Sequence, residues 1–166
     1  MTETNQSLFK LISQGVYIVG VGNGAHGNAF TAAWVMPVSF DPLMLALSIN
    51  PAHHSYQLLK TGGVCAISVL ADKQLSVAEH FGHSAPDKMA GFDWLKAKTG
   101  APILTQSLAY FDCEVSHFSP AGDHHLAVCR VVESDRLNPG QPLLYIATGN
   151  MDKISESTGK TEKLKP

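Results

Sequence analysis

The sequence predicts a mainly β fold, a closed or partly closed antiparallel barrel with one or two flanking helices. Three observations carry this expectation. Short β-branched and aromatic runs recur along the chain between Gly, Pro, Asn and Asp punctuation. One stretch alone changes clearly to helical spacing. The strands do not alternate with helices, which disfavours a doubly wound sheet, and closure into a barrel removes exposed edges. The 166 residues suit one domain spanning 1–166. No internal repeat or dividing linker is visible.

Each element follows from local pattern. Val16 to Val21 is apolar and breaks into a glycine-rich turn, Gly22-Asn23-Gly24. Ala29 to Ser39 resumes an extended pattern. Asp41-Pro42 punctuates it, because proline pushes the preceding residue out of the helical region. Leu43 to Ile49 is short enough for a buried strand, and Asn50-Pro51 ends it. Ser55 to Lys60 reads as one or two helical turns with Ser55 as N-cap. Val64 to Leu70 is another buried strand. Asp72 to Phe81 is helical, with Leu75, Ala78 and Phe81 on one side and Asp72 as cap. Residues 82–102 hold Gly82, Pro86, Gly91, Gly100 and Pro102 and read as a long irregular loop, ordered by Phe92 and Trp94. From Leu108 to Phe118 the parity alternates, and Ala109, Phe111, Cys113 and Val115 form the cleaner inward face. The turn Pro120-Ala121-Gly122-Asp123 leads to a returning strand, His125 to Val132. Leu143 to Ala147 reads as the last strand, and Lys153 to Pro166 as a frayed polar tail.

Composition narrows the function. Charged residues are 16% of the chain, below the usual ~25%, which leaves room for an apolar interface and predicts a homo-oligomer. The net charge of -2 argues against a nucleic-acid or membrane partner held by bulk electrostatics. Met1 to Ser7 is polar and lacks a signal-peptide core. No apolar run approaches the ~20 residues of a membrane span. Cys65, Cys113 and Cys129 are odd in number and far apart, so buried reduced thiols and a cytoplasmic setting are expected.

Three signals could carry chemistry. Gly22-Asn23-Gly24-Ala25-His26-Gly27 is a GxGxxG after a strand, as in dinucleotide folds. The residues that follow, Phe30, Thr31, Trp34 and Val35, are β-formers, and Pro37 would break a helix. A glycine-rich hairpin turn is the better reading. His80 and His83 have HxxH spacing, but Gly82 lies between them. No Asp, Glu or Cys at ligand spacing completes a site, so no metal is expected. Small polar residues cluster at strand ends: Asn28, Thr31, Ser48, Asn50 and Ser55. Together with free backbone N–H groups they suit a flat heteroaromatic ring and a phosphate.

A family resemblance emerges at this point. Asn28-Ala29-Phe30-Thr31-Ala32-Ala33-Trp34 followed by Val38-Ser39-Phe40-Asp41-Pro42 resembles the opening signature of the flavin reductase-like, FMN-binding split-barrel family, in its flavoredoxin and diflavin flavoprotein branch. The likeness continues through Ser48-Ile49-Asn50, Thr61-Gly62-Gly63, Ala78-Glu79-His80-Phe81, Ala101 to Leu104, Ala109 to Val115 and Gly122-Asp123-His124. It covers about residues 10–150, and order and spacing carry it more than any single piece.

The resemblance implies a six-stranded Greek-key split barrel, a homodimer, and FMN near the dimer interface, with FAD as an alternative. Asn28 to Trp34 would run along the ring system. Backbone groups of Ala29, Ala32 and Ala33 would meet its polar edge, beside Phe30, with Thr31 near the reactive ring nitrogen. Ser48, Ile49 and Asn50 would flank the ribityl chain. His53, His54 and Ser55 would take the phosphate, where many relatives carry arginine or lysine. Phe81 and Lys88 would close over the cofactor. His124 would stand on the nicotinamide side, with His125 a rival for that place. The activity implied is electron transfer from NAD(P)H through FMN to free flavin, ferric iron or a redox protein. Two rivals stay open: a flavoredoxin-like carrier fed by a protein partner, and a flavin- or haem-related binding module without turnover.

Overall fold

The computed structural model describes residues 5–22, 26–149 and 151. The predicted Gly22-Asn23-Gly24 turn lies partly, and the polar tail from Lys153 wholly, outside the described residues. In chain order there follow a 3-10 turn at Ser7–Leu11, β1 Tyr17–Val21, β2 Asn28–Ala32, β3 Val35–Phe40, β4 Leu43–Ile49, α1 His54–Gly62, β5 Val64–Val69, α2 Leu75–Phe81, β6 Trp94–Lys96, β7 Pro102–Leu104, β8 Ala109–Ala121, β9 His124–Arg136 and a 3-10 turn at Tyr145–Thr148.

Seven strands make one antiparallel sheet in the order β2-β1-β5-β8-β9-β4-β3, and β6 pairs with β7 as a separate hairpin. β2 and β3 stand at opposite ends of that order, yet only Ala33 and Trp34 separate them in sequence. Two linking residues reach roughly 10 Å between strand ends, so the sheet must curl until its ends meet. At this seam the Ser48 N–H donates to the Trp34 carbonyl at 2.9 Å, which carries the β3–β4 ladder one residue into the link. Non-consecutive neighbours, β1 beside β5 and β9 beside β4, are the mark of Greek-key connections. The main sheet has seven strands where six were expected, because the extended run from Ala29 to Ser39 breaks in two at this seam.

The curled sheet encloses one core, with Val19, Val21, Leu45, Leu47, Cys65, Ile67, Cys113 and Cys129 buried inside it and Tyr56 and Leu59 of α1 packed among them. The three thiols are free and buried. A second core lies outside the sheet under α2, where Ile18 and Ala29 meet Ala78, Phe81 and Leu104. β1 is therefore covered on both faces, which explains its unbroken apolar run. At Gly20 a Cβ would stand 1.9 Å from the Pro102 carbonyl oxygen, so glycine is what lets β7 lie against β1.

Several expectations need correction. His53, not Ser55, is the N-cap residue of α1; Ser55 sits buried in the first turn, where its hydroxyl accepts from Asn28 Nδ2 at 3.0 Å. Gln74, not Asp72, precedes α2. The Gln74 side chain accepts the Ala71 N–H at 2.7 Å, while the Asp72 N–H is drawn to the Gln141 carbonyl. The stretch 82–102 is not irregular throughout, since Trp94–Lys96 pairs with Pro102–Leu104. Together with Ala101, that hairpin covers the outer face of β5 and β8 and buries Tyr110 against Ala66 and Ile103. Asp112 is also fully buried, so both parities of early β8 are inside. Leu143 to Ala147 forms no strand: isolated bridges at Gly15–Leu144 and Ala71–Pro142 lead into the last 3-10 turn.

Candidate active site

A cleft of about 440 Å³ opens at the seam where the sheet meets itself, within the ~300–1,000 Å³ range of small-molecule sites. Phe30, Thr31, Ala32, Ala33 and Trp34 all line it. Side chains alternate along a strand, so five consecutive residues can face one cavity only through a backbone edge. β2 is the terminal strand of the sheet, and its outer edge carries N–H and C=O groups that no strand among the described residues pairs. The cleft thus has a wall of alternating donors and acceptors. Ser48, Ile49 and Asn50, at the end of β4, form a second wall.

Side chains of β2 are fixed from behind. The Thr31 hydroxyl donates to the Ala78 carbonyl of α2 at 2.6 Å, so its lone pairs are what remain for a ligand. Ala29 is buried beneath α2. Asn28 is bonded to Ser55, which fixes the start of β2 to the first turn of α1.

Basic groups gather at the rim. His53 lines the cleft at the start of α1, and His124 lines it at the start of β9. Gly122, at φ +65°, makes the tight turn that presents His124. His124 Nδ1 lies 2.8 Å from Asp123 Oδ1, and its ring stacks on Trp34. The hydrogen bond from His124 holds the Asp123 carboxyl below its usual range. Desolvation lowers the pKa of His53, and the positive charges of His124 and Lys88 push it further the same way. Burial lowers Lys88 as well; its ammonium donates to the His83 carbonyl at 3.4 Å.

Most residues expected at the site converge on the cleft: Phe30 to Trp34, Ser48 to Asn50, His53 and His124. Others stand apart. His54 is exposed on the first turn of α1. Phe81 is buried among His80, Phe92 and Trp94, and it is the next residue, Gly82, that reaches the cleft. Lys88 acts on His53 through its charge without lining the cavity. His125 points away from the cleft and bonds to Tyr56, as strand alternation after His124 requires. Gly82, Tyr145 and Met151 complete the lining and were not foreseen. Gly82 was legible as a helix end, whereas Tyr145 and Met151 arrive from a distant segment with no local signal.

Comparisons with known proteins agree on one family. The chain is 34% identical over 108 residues to the flavin-dependent monooxygenase reductase subunit HsaB of Rhodococcus jostii, a match covering 65% of this chain and 55% of that protein. It thus spans little more than half the length of that relative. It is 33% identical over 127 residues to the FMN reductase (NADH) RutF of Agrobacterium fabrum, covering 74% of this chain and 72% of the relative. Among solved structures, BorF, the flavin reductase component of a bacterial two-component tryptophan halogenase, superposes with a TM-score of 0.77 at 28% identity, over 87% of this chain and 95% of that one. The model of the flavin reductase like domain matches residues 9–155, and the chain belongs to that family.

Proposed function

We propose that this protein is an NAD(P)H-dependent flavin reductase that binds FMN in the seam cleft. The outer edge of β2 at Phe30 to Ala32, continued along the cleft by Ala33 and Trp34, carries the reading. An isoalloxazine is flat and bears carbonyl and ring-nitrogen groups along one side, which is what a strand edge of alternating N–H and C=O can match. His53 lines one end of the cleft, with the charge of Lys88 near enough to act on it, and suits an anionic phosphate. FMN needs no more than this, and the same cleft leaves FAD as the competing form.

Bound flavin would supply hydride acceptance and onward electron transfer. The chain's own groups orient and enclose. The β2 edge would hold the ring. Thr31, tied back to Ala78, would present an acceptor beside it. Ser48 and Asn50, which line the cleft, would flank the chain between ring and phosphate. His124, packed against Trp34, would meet the nicotinamide. No proton-transfer group is needed for hydride transfer itself, so positioning is the protein's main contribution.

We further read the protein as a homodimer. Trp34, Met36, Val38 and Phe40 are 41%, 57%, 44% and 93% exposed, a run of apolar side chains along β3 beside the cleft that a second copy would cover. HsaB is a reductase subunit of a flavin-dependent monooxygenase and BorF the flavin reductase component of a two-component halogenase, which supports delivery of reduced flavin to a partner enzyme.

The test is spectroscopic and kinetic. Purified protein should take up FMN, and NADH or NADPH oxidation, followed by absorbance, should proceed with added flavin as acceptor. Bound flavin without oxidation of either nucleotide would replace this reading with an electron carrier.

A further inference from the structure

We propose that Tyr56 and His125 form a positioning pair that holds the cleft-facing ring of His124 in register with the start of α1. This rests on the reductase reading above. Neither residue lines the cleft, so their effect must run through neighbours.

The physical path is continuous. The Tyr56 N–H donates to the His53 carbonyl at 3.0 Å. The Tyr56 hydroxyl meets His125 Nδ1 at 2.7 Å. His125 is joined by one peptide bond to His124. One rim histidine is therefore linked to the other by a backbone hydrogen bond, a side chain and a part-buried polar contact. Tyr56 is 4% exposed. Its ring is held edge-on between His125 at 5.3 Å and Phe118 at 5.6 Å, so packing fixes the direction of the hydroxyl.

The sheet alone does not hold His124. Pairing of β4 with β9 stops at Ile49–His125. Beyond it, His124 is paired only across the hairpin, with Ala121. The tip with Gly122 and Asp123 thus projects past the last strand that could restrain it from the β4 side. The Tyr56 bond sits at that last restrained residue.

The experiment is a double-mutant cycle on the flavin-supplemented protein, using whichever of NADH and NADPH the wild type oxidises. Tyr56→Phe, nearly equal in volume, should lower kcat/KM for the nucleotide about fivefold while changing the FMN dissociation constant less than about twofold. In a His124→Ala background the same substitution should cost nothing further. His125→Asn, which keeps an acceptor near the Nδ1 position, should retain activity, and His125→Leu should behave as Tyr56→Phe. Equal loss of FMN affinity and turnover would reduce the pair to a structural contact and overturn the proposal, as would full additivity with His124→Ala. An active wild type with an unaffected Tyr56→Phe overturns the pair alone. A wild type inactive with both nucleotides overturns the reductase reading, and the pair's role with it.

Discussion

Trp34 and His124 stack with ring centroids 5.2 Å apart and planes inclined at 48°, although one lies in the step between β2 and β3 and the other opens β9. This contact docks the tip of the long hairpin onto the seam of the sheet. Phe9 meets Trp34 edge-on at 6.0 Å, so the indole is held between the N-terminal turn and the imidazole. His124 is restrained twice, by the indole and by Asp123.

That double restraint gives His124→Ala a definite expectation. If the imidazole orients the nicotinamide, its removal should lower kcat/KM for NADH or NADPH by about tenfold, near 1.4 kcal/mol. FMN affinity should change much less, because the β2 edge and His53 remain. Steady-state kinetics beside flavin titration checks this. Equal loss of both would contradict the nicotinamide role.

Thr31→Val keeps the shape but removes the hydroxyl that joins β2 to α2 through Ala78. One such bond is worth about 1 kcal/mol net, so urea unfolding should show a loss of that size. The substitution should also weaken FMN binding or move the potential of the bound flavin, whereas Thr31→Ser should restore both. A dissociation constant and potential identical to wild type would remove Thr31 from the site.

Flavin binding should depend on pH through His53. Its pKa lies below the ordinary 6.5 in the free protein, first through desolvation and then through the charges of His124 and Lys88. For stability, a depressed pKa contributes fully above the unfolded value and is lost as pH falls through the folded one. For binding the sign reverses. A phosphate beside His53 favours its charged form, so a proton is taken up and FMN should bind more tightly as pH falls from about 8 towards about 6.5, above the second phosphate pKa of about 6. Riboflavin, lacking the phosphate, should show little of this trend. Calorimetric titration of both at several pH values decides the matter.

The parts legible in the sequence were those set by local period. Leu43–Ile49 and the β5 run from Val64 were readable because short apolar stretches bounded by Pro or Gly have few alternatives. The cleft residues from Asn28 to Asn50 were readable through order and spacing. What could not be read depends on partners distant in sequence. Tyr110 and Asp112 look outward by parity and are buried because the β6–β7 hairpin covers them. Tyr145 reaches the cleft from the far end of the chain. The choice between His124 and His125 turned on a single residue of strand register, set by the pairing of Ile49 with His125 and of Ala121 with His124.

Asp112 offers a test of that hidden packing. The carboxylate is fully buried and accepts the Thr99 N–H at 2.9 Å and the Thr99 hydroxyl, which fastens the β6–β7 connection onto β8. Asp112→Ala leaves the Thr99 donors without that partner. Hydrogen bonds to charged groups contribute about 1.5–3 kcal/mol each net, so a loss of about 3 kcal/mol in denaturant unfolding is expected. The cleft lies elsewhere, so FMN affinity of the folded variant should hold. A change below about 1 kcal/mol would show that the hairpin stays in place without this clamp.

The apolar stripe on β3 makes a separate demand. Phe40 is 93% exposed in a chain with few charged residues, and Met36 and Val38 carry exposed apolar surface along β3 towards the cleft. Burying this face against its own copy would remove it from water at roughly 25 cal/mol per Å². Met36→Glu places a carboxylate in the middle of the stripe, where an interface would leave it desolvated and without a designed partner. The substitution touches no core side chain in the monomer, since Met36 is itself exposed. Sedimentation velocity should therefore find a dimer for the wild type and a folded monomer for Met36→Glu, with weaker flavin binding because Trp34 and Ser48 border both the stripe and the cleft. A variant that sediments as the wild type does would place the interface on another face.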